Sequence, residues 1–389
     1  MTTLVAAMAY STMQLYAVAV LASDLRDDLD ISRTQIGVAG AVATGLGALS
    51  APYLGRRIDT IGAKRGAMTV LGAGGVSLIL TALAPHFGLL LVASAVGGIA
   101  LSGGNAATNK LIGLHVPDGH RGTVTGIKQS GVTLSLFLCG LTLPTLSDSL
   151  GWRWAISLYG IVALVATALV AFRLEPDPES GQSPAHRSRS RAPLASWVRR
   201  LAIYGFLMGV TTAGIIRFLP LFAEEELGLS EAEAGLAMAL VGLAGIAARI
   251  IAGRLAEHNV TTRASLFSMA VIAAVVAVLL MVSPNVGSWL VWPIALLTAT
   301  SSIAWNAVGN LAIIRGVDPD SSGKATGLLL LGFLAGLTVG APMTGAIVDQ
   351  TGSYSFAWAV VLATAGLAAL VTATGDEPPV LGTRAPISS

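Results

Sequence analysis

Apolar runs of about twenty residues recur from one end of this chain to the other, separated by short polar stretches. About twenty such residues carry a helix across roughly 30 Å of hydrocarbon. The pattern predicts twelve spans, near 3–22, 34–54, 66–84, 88–110, 122–146, 152–173, 199–221, 232–252, 264–283, 288–312, 324–348 and 354–373. A membrane barrel would show ten-residue alternating segments instead, and these are not found. An all-α membrane protein follows, because helices satisfy their own backbone in lipid.

After the sixth span, Glu175 to Ser196 holds four prolines and the run His186-Arg-Ser-Arg-Ser-Arg191, too polar for lipid and too rich in Pro and Ser to pack. This divides the chain into a six-helix bundle at 1–174, a linker at 175–197, a second bundle at 198–374 and a tail at 375–389.

The two halves repeat each other. Leu29-Asp-Ile-Ser32-Arg-Thr-Gln35-Ile-Gly37 aligns with Leu227-Gly-Leu-Ser230-Glu-Ala-Glu233-Ala-Gly235, which places Gly55 on Gly253 and Asp59 on Glu257 at an offset of 198. Each Ser followed three residues later by Gln or Glu can form a capping box. Later the offset is 201: Asn105, Asn109, Gly126 and Gly151 fall on Asn306, Asn310, Gly327 and Gly352. This register predicts two pseudo-symmetric bundles related by an axis along the membrane normal, and matched environments for the two asparagine pairs.

Composition narrows the class. Of 389 residues, 54% are hydrophobic and 11% charged, against about a quarter charged in soluble domains. Lys and Arg cluster in the even-numbered connections (Arg56, Arg57, Lys64, Arg65, Arg121, Arg187, Arg189, Arg191, Arg254, Arg263, Arg315, Lys324), while the odd ones hold only Arg26, Arg33 and Arg153. The positive-inside rule then predicts a multi-pass protein of the cytoplasmic (inner) membrane with both termini cytoplasmic. The acidic run Glu224-Glu225-Glu226 would face outside as a solvated helix end.

Between the second and third runs lies Gly55-Arg-Arg-Ile-Asp59-Thr-Ile-Gly62-Ala-Lys64-Arg65, an acid among four cations, read as a tight hairpin. This order resembles the loop signature of the major facilitator superfamily of transporters, with Thr60 and Ala63 standing where that family usually has basic residues. The second half carries Gly253-Arg-Leu-Ala-Glu257. The resemblance implies alternating access between two bundles, with Asp59 and Glu257 bracing the opposite bundle in the outward-facing state. Physically, Asp59 would sit at the helix beginning near Ser322-Gly323 and Glu257 at Arg121-Gly122, where unpaired N–H groups favour an anion.

All twenty-one Asp and Glu residues fall in connections, helix ends or tails. Lys110, Lys128, Arg217 and Arg249, by contrast, lie inside spans or near their ends, where a charge is costly and marks function. Snorkelling accounts for Lys110. Arg249, in Ala248-Arg-Ile-Ile-Ala-Gly253, looks like the arginine that pairs with substrate carboxylate in monocarboxylate transporters, although Gly245 stands where that family has an Asp. Gly126-Ile-Lys128-Gln129-Ser130-Gly131 loosely resembles cyanate permease-type carriers, and the fifth span lacks the Gly-Pro pair of drug/proton antiporters.

The expected substrate site comprises Arg249, Arg217, Lys128, Gln129, Asn105, Asn109, Asn306, Asn310, Tyr16 and Gln14, with Gly55, Asp59, Gly62, Lys64, Arg65, Gly253 and Glu257 serving gating. The expected partners are the lipid bilayer and a small organic anion, with no nucleic acid, on a monomeric chain. No cofactor or metal is expected: no Gly-x-x-x-x-Gly-Lys-Ser/Thr occurs, the single Cys139 has no partner for redox chemistry, and His86, His115, His120, His186 and His258 lie in connections or at their edges. A membrane enzyme is therefore not expected. Two alternatives stay open, an exporter of an uncharged or amphiphilic metabolite and a transporter-like membrane sensor.

Overall fold

The computed structural model describes residues 1–117, 120–174, 194–257 and 261–375, and their side chains except at 122–123, 253–257 and 319–320. The core of the proposed linker, most of the tail, His258 and the surroundings of Gly253 and Glu257 lie outside the described residues.

The first span is broken, where the apolar pattern had predicted one helix. It comprises α1 (Thr2–Tyr10) and α2 (Met13–Val20), bent by 50°. Ser11 Oγ donates to Met8 O (2.7 Å) and Thr12 Oγ1 to Ala9 O (3.3 Å) and pairs with Ser135 (2.8 Å), so hydroxyls compete with the backbone for carbonyls at the break. A short amphipathic α3 (Ala22–Leu29) follows.

The remaining spans are α4 (Arg33–Ile61), α5 (Ala63–Ala82), α6 (Phe87–His115), α7 (Arg121–Leu150), α8 (Trp152–Arg173), α9 (Ser196–Glu225), α10 (Glu231–Glu257) and α11 (Thr262–Val286). The tenth span is composite, with α12 (Val291–Thr298), a π-helical turn at Ala299–Ile303 and α13 (Trp305–Gly316); α14 (Pro319–Thr351) and α15 (Tyr354–Ala373) complete the fold. Among the described residues, eleven helices are long and apolar enough to cross a membrane, and twelve when the bent pair counts as one span.

The helices overrun the apolar runs that predicted them. Gly55 to Ile61, read as part of the hairpin, are the last turns of α4, and the reversal is confined to Gly62 at φ 96°. A β-carbon is strained there, so one glycine makes the whole turn. The reason is that a helix need not end where lipid ends; polar residues carry it into water. Similarly, Ser196 and Trp197, assigned to the linker, already belong to α9.

The repeat register is visible in the backbone. Ser32 and Gln35 form a reciprocal capping box at α4, and Ser230 and Glu233 form its counterpart at α10. Gly151 and Gly352 end their helices at φ 82° and 66°. Exposed apolar side chains such as Leu49, Phe172, Ile251 and Leu370 coat the outside of the helices, as a lipid-facing wall requires.

Candidate functional site

Two seams join the bundles, and both are built from small residues. Along α4 and α14, a β-carbon on Gly37 would lie 2.5 Å from Ala341 O and one on Gly345 2.4 Å from Arg33 O, and further along Thr44 pairs with Thr338 at 3.0 Å. Along α7 and α10, Gly140 meets Gly235, Gly242 meets Phe137 and Gly245 meets Thr133, running in order along the two helices. Only glycine permits backbones this close. Gly245 has its β-position 3.1 Å from both Ile303 and Thr133 methyls, so the seam leaves little room for the Asp that monocarboxylate transporters carry there.

Charges close the face that carries the odd-numbered connections. Glu225 accepts from Arg26, from Arg33 Nε (3.1 Å) and Nη2 (2.8 Å) and from Tyr354 Oη (2.7 Å). Asp349 accepts from the backbone N–H of Arg33 (3.2 Å) and Thr34 (2.7 Å), capping the amino end of α4 from the other bundle. The acidic run is thus no merely solvated helix end: its middle residue holds the two bundles together. Nothing local in the sequence joins Arg26 or Arg33 to Glu225, since the contact exists only once the bundles meet.

Toward the opposite face, where α1 begins and α15 ends, the bundles part. Gly126 and its repeat mate Gly327 have no atom within 4 Å of a β-position, and Asn105, Asn109 and Asn310 are exposed. Asp59 is exposed on this side. Lys110 donates to the carbonyls of Ile58 (3.1 Å) and Asp59 (2.6 Å), so it caps the end of α4 instead of lining a site.

The intramembrane cations lie beside these seams. Arg249 takes the next step of the α7–α10 seam, donating from Nη1 to Gln129 O (3.0 Å) and from Nε to Ile303 O (3.4 Å). Ile303 closes the π-helical turn, a distortion that releases backbone carbonyls from the regular ladder and recurs at functional sites. Arg217, 5% exposed, lies over Gly40 and donates across the bundle boundary to Leu15 O on α2.

Lys128, 1% exposed, donates to Asn105 Oδ1 (3.3 Å), Thr108 Oγ1 (2.9 Å) and Asn109 Oδ1 (2.5 Å), three neutral acceptors for three N–H bonds. Gln129 Nε2 adds a bond to Asn105 Oδ1 at 3.2 Å.

The sequence-derived set is therefore divided. Arg249, Lys128, Gln129, Asn105 and Asn109 form one connected group, with Thr108 and the Ile303 carbonyl as members the sequence reading missed, while Arg217 bonds instead to Leu15 O, next to buried Tyr16. Gln14 does not join it: it is 4% exposed and donates to Ser94 (3.2 Å) inside the first bundle. The asparagine pairs are also unlike. Asn310 Nδ2 bonds Asn306 O in its own helix, because Leu329 occupies the position equivalent to Lys128 and offers nothing to cage. Symmetry of spacing did not carry symmetry of chemistry.

Comparison with known proteins agrees with this architecture. Residues 2–314 match the model of the Major Facilitator Superfamily. Human monocarboxylate transporter 11 is 30% identical over 246 residues, 59% of this chain and 51% of that protein. A probable sulfoacetate transporter of Cupriavidus necator is 23% identical over 91% of this chain and 88% of its own length. The chain spans only three fifths of an uncharacterized MFS-type transporter of Mycobacterium tuberculosis (60%) that it also matches. Among solved structures, a bacterial homolog of the human lysosomal transporter Spinster, inward-facing and occupied, superposes with a TM-score of 0.78 at 16% identity, covering 96% of this chain and 94% of that one. Twelve spans in two repeated bundles, glycine seams between them and a match over most of its length place this chain in the major facilitator superfamily.

Proposed function

We propose that this transporter moves a small organic anion across the cytoplasmic membrane by alternating access, with both termini cytoplasmic and residues 1–174 and 198–374 as the moving bundles. The observation that carries the reading is the charge balance between the bundles. Arg217, Arg249 and Lys128 lie there with carbonyls, amides and hydroxyls as their described partners and no carboxylate. A cation without a counter-ion inside a membrane costs a few kcal/mol, and an anionic substrate supplies what is missing. Relatives named for monocarboxylate and sulfoacetate transport support an anion. With the termini inside, the structure is the inward-facing state, closed by Glu225 on the outside.

Each bundle contributes: Lys128 and its asparagines sit on the first, Arg217 and Arg249 on the second. An anion held by both favours closing the inner opening, so binding energy drives the rocking motion. The test is counterflow in proteoliposomes against carboxylates, sugars and cationic drugs, in wild type, Arg249→Lys and Arg249→Ala. A planar guanidinium donates two parallel bonds that an ammonium cannot, so both variants are expected to lose about ten- to hundredfold in anion affinity, the equivalent of roughly 1.5–3 kcal/mol. Wild-type preference for neutral or cationic ligands, or normal anion affinity in Arg249→Ala, overturns the reading in favour of a metabolite exporter.

A further inference from the structure

We infer that the transported anion is a short-chain dianion, one negative group held at Arg249 and the other at the Lys128 cage. The inference rests on the anion reading above and deepens it.

Three cations lie inside the spans, Arg217 and Arg249 on the second bundle and Lys128 on the first. Arg217, 5% exposed, donates across the bundle boundary to Leu15 O. Arg249 is only half-buried and bonds through Nη1 and Nε, which among the described residues leaves Nη2 for a ligand. Arg249 accounts for one anionic group.

The second group belongs to the other bundle. Lys128 draws the Oδ1 atoms of Asn105 and Asn109 toward itself and is shut away from solvent, while both asparagines are exposed. Their oxygens are thereby used and their Nδ2 donors are left for the opening. The cage thus presents amide N–H groups backed by a positive charge, an arrangement that favours an anion and offers a cation or a hydrogen-bond donor nothing to bind. A monoanion at Arg249 leaves Lys128 uncompensated. A dianion answers both bundles at once, and Gln129, whose carbonyl meets Arg249 and whose side chain meets Asn105, measures the gap as a short one.

Matched ligands test the charge number without changing shape. Thermal-shift titration of the purified protein with malonate, succinate and glutarate, each beside its monoamide and its diamide, separates two, one and no charges at fixed length. At least one diacid is expected to bind about tenfold or more tightly than its monoamide, the value of one charge-assisted contact. Lys128→Gln should remove most of that difference while Arg249→Ala weakens diacid and monoamide alike. Equal binding of diacid and monoamide in wild type, which needs no variant to fold, overturns the dianion inference and leaves a monoanion carrier. Preference for the diamides, or binding of none of the nine, overturns the anion reading itself.

Discussion

Replacing Glu225 with Gln keeps the shape of the latch and removes its charge. Two of the latch contacts cross between bundles, to Arg26 and Arg33; the third, from Tyr354, stays within the second bundle and does not resist opening. The side chains are 22–25% exposed, so solvent screens the pairs. Each is then worth about 0.5–1 kcal/mol, in the range measured for partly exposed ion pairs. Arg33 keeps its second acid, Asp349, at 3.6 Å, and the glycine seams are untouched. The net loss is about 1–2 kcal/mol, which moves the equilibrium between closed and open by a factor of about 5–30. Spin labels at Asp27→Cys and Glu226→Cys, exposed positions on opposing bundles, report this by electron–electron distance measurement, since Cys139 is fully buried and stays unlabelled. A new population at longer distance is expected in Glu225→Gln. A distance distribution identical to wild type, in protein of normal thermal stability, refutes the view that this carboxylate holds the outer face shut.

Gly37→Val would put its β-carbon against Ala341 O and Pro342 Cα, backbone atoms that cannot swing aside; the same labels should show the short distance lost and counterflow abolished, and a retained short distance would contradict the seam. Burial, then Asp148, Asp27 and Asp28, hold the Asp24 carboxyl above the ordinary carboxylate range, against a lowering bond from Ser147. Its folded form therefore keeps a proton that the unfolded chain has released, so stability falls as pH rises past the unfolded value of about 4. Asp24→Asn should raise the melting temperature at neutral pH and leave it little changed below about pH 4; equal shifts at both would count against this cause. Asp59→Asn, which touches no described substrate-site residue, should lower the outward-facing population with unaltered ligand affinity, the brace being worth about 0.3–2 kcal/mol; distances across the terminal face that match wild type would remove its bracing role.

Much of this protein was legible in one dimension because the bilayer imposes a one-dimensional code. A span needs a fixed length of apolar chain, so the number of helices, their repeat and the capping boxes at Ser32 and Ser230 could be read directly. The cost of burying charge likewise singled out Lys128, Arg217 and Arg249 before any fold was known. What those charges meet was decided only in three dimensions. The bonds of Lys128 to Asn105 and Asn109 span 23 and 19 residues, and those of Arg249 to Gln129 and of Arg217 to Leu15 span 120 and 202. Periodicity sees neighbours within a helix and cannot register such pairs. The break at Ser11 and Thr12 and the π-helical turn before Ala304 escaped for a related reason, since each keeps its apolar pattern while side chains or packing rearrange the backbone. Repetition misled where a single exchange, Lys128 for Leu329, gave equal spacings unequal chemistry. The acid run at Glu225 became a latch for the same physical reason: an ion pair forms where two bundles meet, and only the tertiary structure says where that is.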